Sequence, residues 1–142
     1  MENLFNNFIE YKISKRNDIL IFLFHVKKEQ PSPFEWTCAI EEFKDKMNEI
    51  EKLNINFVYI LDIRLMGLLS IAQIKEFSAL LLERSVFLEK RLICSTAVAE
   101  GAFIKKLFEL VKIFYKTIKP LKIVSTMEDS NIFIEECKLT FK

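Results

Sequence analysis

The chain reads as an α/β protein whose elements run ββαβαβαβα around a mixed, mostly parallel sheet. Three observations predict this. Residues 8–14 and 19–26 are both β-rich, and only the polar Lys15-Arg16-Asn17-Asp18 separates them, which is the pattern of an antiparallel hairpin. Apolar runs of strand length then follow at 57–63, 91–97 and 121–125, each alternating with a segment of helical period. Most of these runs are apolar at consecutive positions, as internal strands are when both faces are covered. At 142 residues the chain fits a single domain, 1–142, with residues 1–7 expected to fray.

Each element has a local reason. In 8–14 the apolar positions Ile9, Tyr11 and Ile13 share one face of a half-buried strand. After 19–26, Gln30-Pro31-Ser32-Pro33 ends the strand and opens a helix. Ser32 is the N-cap, Pro33 the first helical residue and Glu35 the far side of a capping box. Trp36, Ile40, Phe43, Met47 and Ile50 recur at helical spacing to about Leu53, and core packing accounts for the stripe. After the strand 57–63, Ser70 caps a second helix with Gln73 completing its box. That helix carries Ile71, Ile74, Phe77, Leu81 and Leu82 to about Lys90. The third helix opens at Glu100 and Gly101, turns Phe103, Leu107, Leu110, Phe114 and Ile118 inward, and stops at Pro120. Thr126 with Asp129 caps a last helix that packs with Ile132, Phe133 and Cys137.

Composition narrows the function classes. Charged residues make up 29% and the net charge is +1, so no global field gathers nucleic acid or an anionic membrane. No apolar run reaches the ~20 residues that span a bilayer. The start of the chain is acidic and polar where a signal peptide would be basic and then apolar, so a cytoplasmic protein is expected. Cys38, Cys94 and Cys137 are odd in number and widely spaced, as buried reduced thiols are. With His25 the only histidine, no clustered ligand pairs suggest a metal. Gly67 and Gly101 stand alone, so no glycine-rich loop cradles a phosphate, and no cofactor is expected. Asp62 and Arg64 close the central strand. A lone carboxylate there is read as structural, holding loop amides or Arg64. The hydroxyls of Ser95 and Thr96 are read as capping the third helix. Its lysine face, Lys105, Lys112 and Lys116 with Lys106 and Lys119 nearby, is read as solvated.

The stretch between the central strand and its helix is where function is expected, because a strand's carboxyl end meets a helix's amino end there. Leu65, Met66, Gly67, Leu68, Leu69 and Ser70 form it. Its four large apolar residues are hard to bury together, and exposed apolar side chains on a loop are there to meet something. These six are the candidate partner or ligand contacts.

The strings Phe57-Val58-Tyr59-Ile60-Leu61-Asp62-Ile63, Leu92-Ile93-Cys94 before a Ser/Thr/Ala segment, and 121–129 leading from strand to helix resemble the STAS or SpoIIAA-like superfamily of anti-sigma-factor antagonists. The likeness runs from about Phe8 to Cys137. It implies helices mainly on one face of the sheet, no catalysis, and a regulatory role through a protein partner. Some SpoIIAA-like relatives resemble lipid-transfer domains, so an apolar small-molecule or lipid carrier is the alternative. Regulatory members carry an Asp-Ser-Ser-Gly or Asp-Ser-Thr-Gly phosphoacceptor at the start of the second helix. Here Ser70 stands at the aspartate's place, and Ile71 and Ala72 stand at the acceptor positions. Ser70 is itself the one candidate for phosphorylation. A one-faced sheet would leave Ile19, Ile21 and Leu23, or Leu20, Phe22 and Phe24, uncovered, so a two-fold homodimer through the bare face is expected.

Overall fold

A computed structural model describes residues 6–102, 105, 106, 109 and 119–141. The strands are β1 (Ile9–Arg16), β2 (Ile19–Val26), β3 (Phe57–Asp62), β4 (Leu92–Val98) and β5 (Leu121–Val124). The described helices are α1 (Pro33–Leu53), α2 (Ile71–Glu83), α3 (Ser85–Arg91) and α4 (Met127–Thr140). The fold is α/β. The strands form one mixed sheet in the order β1-β2-β3-β4-β5, with β1 antiparallel to β2 and the other neighbours parallel.

The hairpin turn is tighter than the four polar residues suggest. Lys15 and Arg16 remain paired with Leu20 and Ile19, and only Asn17 and Asp18 turn. Asn17 takes a φ of 57°, a left-handed conformation that asparagine tolerates better than most residues. Both capping boxes form as the sequence implies, at Ser32 with Glu35 and at Ser70 with Gln73. Thr126 caps α4 through the Asp129 amide.

Strand alternation splits the core in two. One face turns Leu20, Phe22, Phe24, Phe57 and Tyr59 onto α1, α2 and α3, which contribute Trp36, Phe43, Met47, Leu81 and Leu88. The other turns Ile19, Ile21, Val58, Ile60 and Val98 onto α4, which contributes Ile134 and Cys137. The second face is therefore not bare. Ile19, Ile21, Val58 and Ile60 are buried within a single chain, so the apolar patch expected to drive a dimer is absent among the described residues. The physical reason is that the chain continues past β5. The final helix turns back across β4 and β5 instead of joining the other three.

Other expectations need correction. Asn6 is not frayed: its amide donates to the Ile9 carbonyl at 2.7 Å and to Glu42 Oε2 at 2.6 Å, tying the chain's start to α1. The helix expected to reach Lys90 breaks at Arg84 (φ −109°, ψ 19°). No glycine or proline marks that break. It brings the Arg84 guanidinium to Glu51 on α1 at 3.4 Å and buries Leu88. Ser95 and Thr96 belong to β4, and among the described residues neither caps a helix; Thr96 is fully buried and meets Ser130 of α4 at 2.6 Å. Ile71, Leu82 and Ile132, expected to face inward, are exposed; Ile71 stands at the first position of α2, ahead of the residues that pack on the sheet. Phe103, Leu107, Leu110, Phe114, Ile118, Lys112 and Lys116 lie outside the described residues; Lys105 and Lys106 are exposed and Lys119 is half-buried.

Candidate functional site

The site is built where β2 and β3 end and α1 and α2 begin. Two loops meet there, residues 27–32 and 63–70. The second loop is pinned at several points. Met66 donates its amide to the Ile63 carbonyl at 3.1 Å, Gly67 donates to the Glu29 carbonyl at 2.9 Å, and the Gln30 side chain donates to the Leu68 carbonyl at 2.9 Å. Gly67 is required by this close approach: a Cβ at that position would sit 3.1 Å from the Glu29 carbonyl oxygen and 3.3 Å from Gln30 Nε2. Ser70 is exposed. Its Oγ accepts the Gln73 amide at 3.1 Å while Gln73 Oε1 accepts the Ser70 amide at 2.9 Å.

The loop's apolar residues divide as the sequence implies they must. Leu65 is 55% exposed and Leu68 57%, whereas Met66 and Leu69 are half-buried. Met66 and Leu69 roof an apolar cavity of about 80 Å³, whose walls include Phe24, Trp36, Leu61 and Phe77. Trp36 is held against α2 by its indole N–H, which donates to Glu76 Oε1 at 2.7 Å. On the outer side, Met66 also lines an open groove of about 700 Å³ between the two loops, with Lys27, Lys28, Glu29 and Arg64 on its walls.

Beneath the groove lies a charged set on the opposite face of β2 and β3. Asp62 is almost wholly buried and accepts from Arg64 Nε at 2.9 Å, Arg64 Nη2 at 2.8 Å and the Arg64 amide at 3.4 Å. Its Oδ2 also meets His25 Nδ1 at 3.1 Å. The Arg64 hydrogen bonds hold the Asp62 carboxyl below the ordinary range, against the opposing effect of burial. This is the structural role expected of Asp62. His25 was not associated with it, because only the pairing of β2 with β3 puts His25 beside Asp62. The bidentate guanidinium occupies both carboxylate oxygens, and the half-exposed imidazole is oriented by the second of them.

Burial pushes Cys94 strongly upward and also raises Cys137, its hydrogen-bonding neighbour. All three cysteines are buried and free of disulfides. Among the described residues no cluster of three His, Cys, Asp or Glu side chains could hold a metal. Nor is any helix among them long and apolar enough to cross a membrane.

The six residues predicted from sequence lie on the loop after β3, at the carboxyl end of the sheet's central strand. The cavity under them is the feature that the carrier alternative requires; the sequence reading missed the second loop that clasps them and two further exposed apolar side chains at the same end, Phe34 and Ile71. A signal for these two was present: each directly follows the start of its helix, ahead of the positions that turn onto the sheet. No protein-family model matches this chain, and no curated protein matches it either.

Proposed function

We propose that this chain is a non-catalytic interaction module of the SpoIIAA-like type, which docks a protein partner through residues 65–70. One observation carries the reading: exposed Leu65 and Leu68 stand on a pinned loop directly above an apolar cavity. An apolar rim beside a concave anchor site is how protein interfaces concentrate their binding energy. The reading rests on the loop and cavity more than on the family likeness, since α4 across the second face departs from the one-faced arrangement which that likeness implies. Ser70 acts as the helix cap in this reading.

The cavity's purely apolar walls favour a second reading, an apolar small-molecule carrier. Size weighs against it. An engineered apolar cavity of about 150 Å³ holds one benzene ring, and this cavity is about 80 Å³. It accommodates a side chain more readily than a lipid.

A photo-crosslinking amino acid placed at Leu68, with the exposed Val86 on α3 as the control, tests the choice in cells making the protein. Protein adducts at position 68 and not at 86 are expected. Adducts at neither position, or equally at both, would reject the docking edge. A small apolar compound co-purifying in native mass spectrometry would favour the carrier.

A further inference from the structure

Building on the docking edge just described, we propose what the partner brings to it: a short segment in which one aliphatic side chain lies within a few residues of an aspartate or glutamate. The aliphatic residue fills the cavity and the carboxylate meets the basic wall of the groove.

Volume selects the anchor. At about 80 Å³ the cavity has roughly half the space of one that holds benzene, which suits the branched end of Leu, Ile or Val, or the thioether of Met. Met66 lines both the cavity and the groove and stands between them. A segment lying in the groove reaches the cavity by displacing this one unbranched, flexible side chain. The groove is also preformed. The Gly67–Glu29 and Gln30–Leu68 hydrogen bonds fix the separation of its two walls, so little ordering is left for binding to impose.

Charge selects the neighbour of the anchor. The walls carry Lys27, Lys28 and Arg64 against Glu29. Lys28 is answered by Glu35 and Arg64 by Asp62. Asp62 engages Nε and Nη2 of Arg64, Glu100 is near enough for its charge to be felt, and Nη1 of the half-exposed guanidinium makes no hydrogen bond among the described residues. Lys27 is exposed and makes no ion pair among the described residues. A carboxylate entering the groove thus finds a free ammonium and the open edge of a guanidinium, the geometry that favours Arg-assisted recognition of acids. A basic segment would meet those same cations, with Glu29 as the one acid on the groove's walls.

The test is selection from a phage-displayed library of random twelve-residue peptides on the intact chain, with counter-selection on Met66→Trp, which fills the mouth of the cavity. Enriched peptides should share Leu, Ile, Val or Met with an acidic residue within about three positions. A synthetic winner, followed by fluorescence anisotropy, should lose about tenfold or more in affinity to Met66→Trp. It should lose up to about fivefold to Lys27→Glu, an exposed change that leaves the fold intact and keeps the test decisive if the tryptophan variant misfolds. Winners that are neutral or basic, or that are indifferent to Lys27→Glu, would overturn this inference and leave the docking edge standing. Failure to enrich any peptide sensitive to position 66 would overturn both. So would binding to phosphatidylcholine–phosphatidylserine vesicles with no peptide selected, which would make the loop a membrane anchor.

Discussion

On one side of the sheet, α1, α2 and α3 close over interlocked rings; on the other, among the described residues, α4 closes over aliphatic side chains and two thiols. Phe22, Phe24, Phe43, Tyr11, Tyr59 and Phe77 pack with ring centroids 4.6 to 6.2 Å apart. The other side has Ile19, Ile21, Val58, Ile60, Cys94 and Ile134, with a buried hydroxyl pair between Thr96 and Ser130. The difference teaches where this protein can hold a cavity. Rigid rings cannot collapse into the space left between them at the sheet's edge, so a gap persists under Met66 and Leu69.

The largest expected effect breaks the aromatic side. Phe43 is fully buried among Tyr11, Phe22, Phe24 and Phe77. Phe43→Ala should cost about 3–5 kcal/mol in denaturant unfolding, and Ile134→Ala, equally buried under α4, about 2–4 kcal/mol. Equal losses would mean that the two faces do not differ in how far they relax.

A smaller effect sharpens the α4 side. Thr96 Oγ1 and Ser130 Oγ satisfy each other at 2.6 Å in an otherwise apolar layer. Thr96→Val or Ser130→Ala alone should cost about 1–3 kcal/mol, because each strands its buried partner. The double variant should lose clearly less than the sum of the singles. Simple additivity in a double-mutant cycle would show that the hydroxyls are wet rather than paired.

The smallest effect concerns pH at the edge between the two faces. The Asp62 carboxyl lies below its ordinary range in the folded chain, chiefly through Arg64. A group depressed on folding stabilises the fold above its unfolded pKa, about 3.9, and that contribution is lost as pH falls through the folded value. Wild type should therefore lose stability below about pH 4 more steeply than Asp62→Asn, by about 1 kcal/mol or less given the half-exposed partner. Parallel acid profiles in thermal melts would contradict the pairing.

The elements were legible in the sequence because their causes are local. Ser32 with Glu35 and Ser70 with Gln73 start helices by satisfying free amides a few residues away, and Asn17 turns a hairpin by its own backbone preference. The apolar loop at 65–70 was legible too, since four large apolar residues cannot all be buried in a loop that short. Tertiary structure alone decided three things. It placed His25 against Asp62, because register between parallel strands is set by distant packing and not by neighbours in the chain. It opened the cavity, because a void depends on how Phe24, Trp36 and Phe77 from three elements fail to meet. And it laid α4 over the second face. The same run of alternating apolar residues, Ile19 to Phe24, suits a sheet covered by a second chain or by its own last helix, and only the path of the chain after β5 chooses between them.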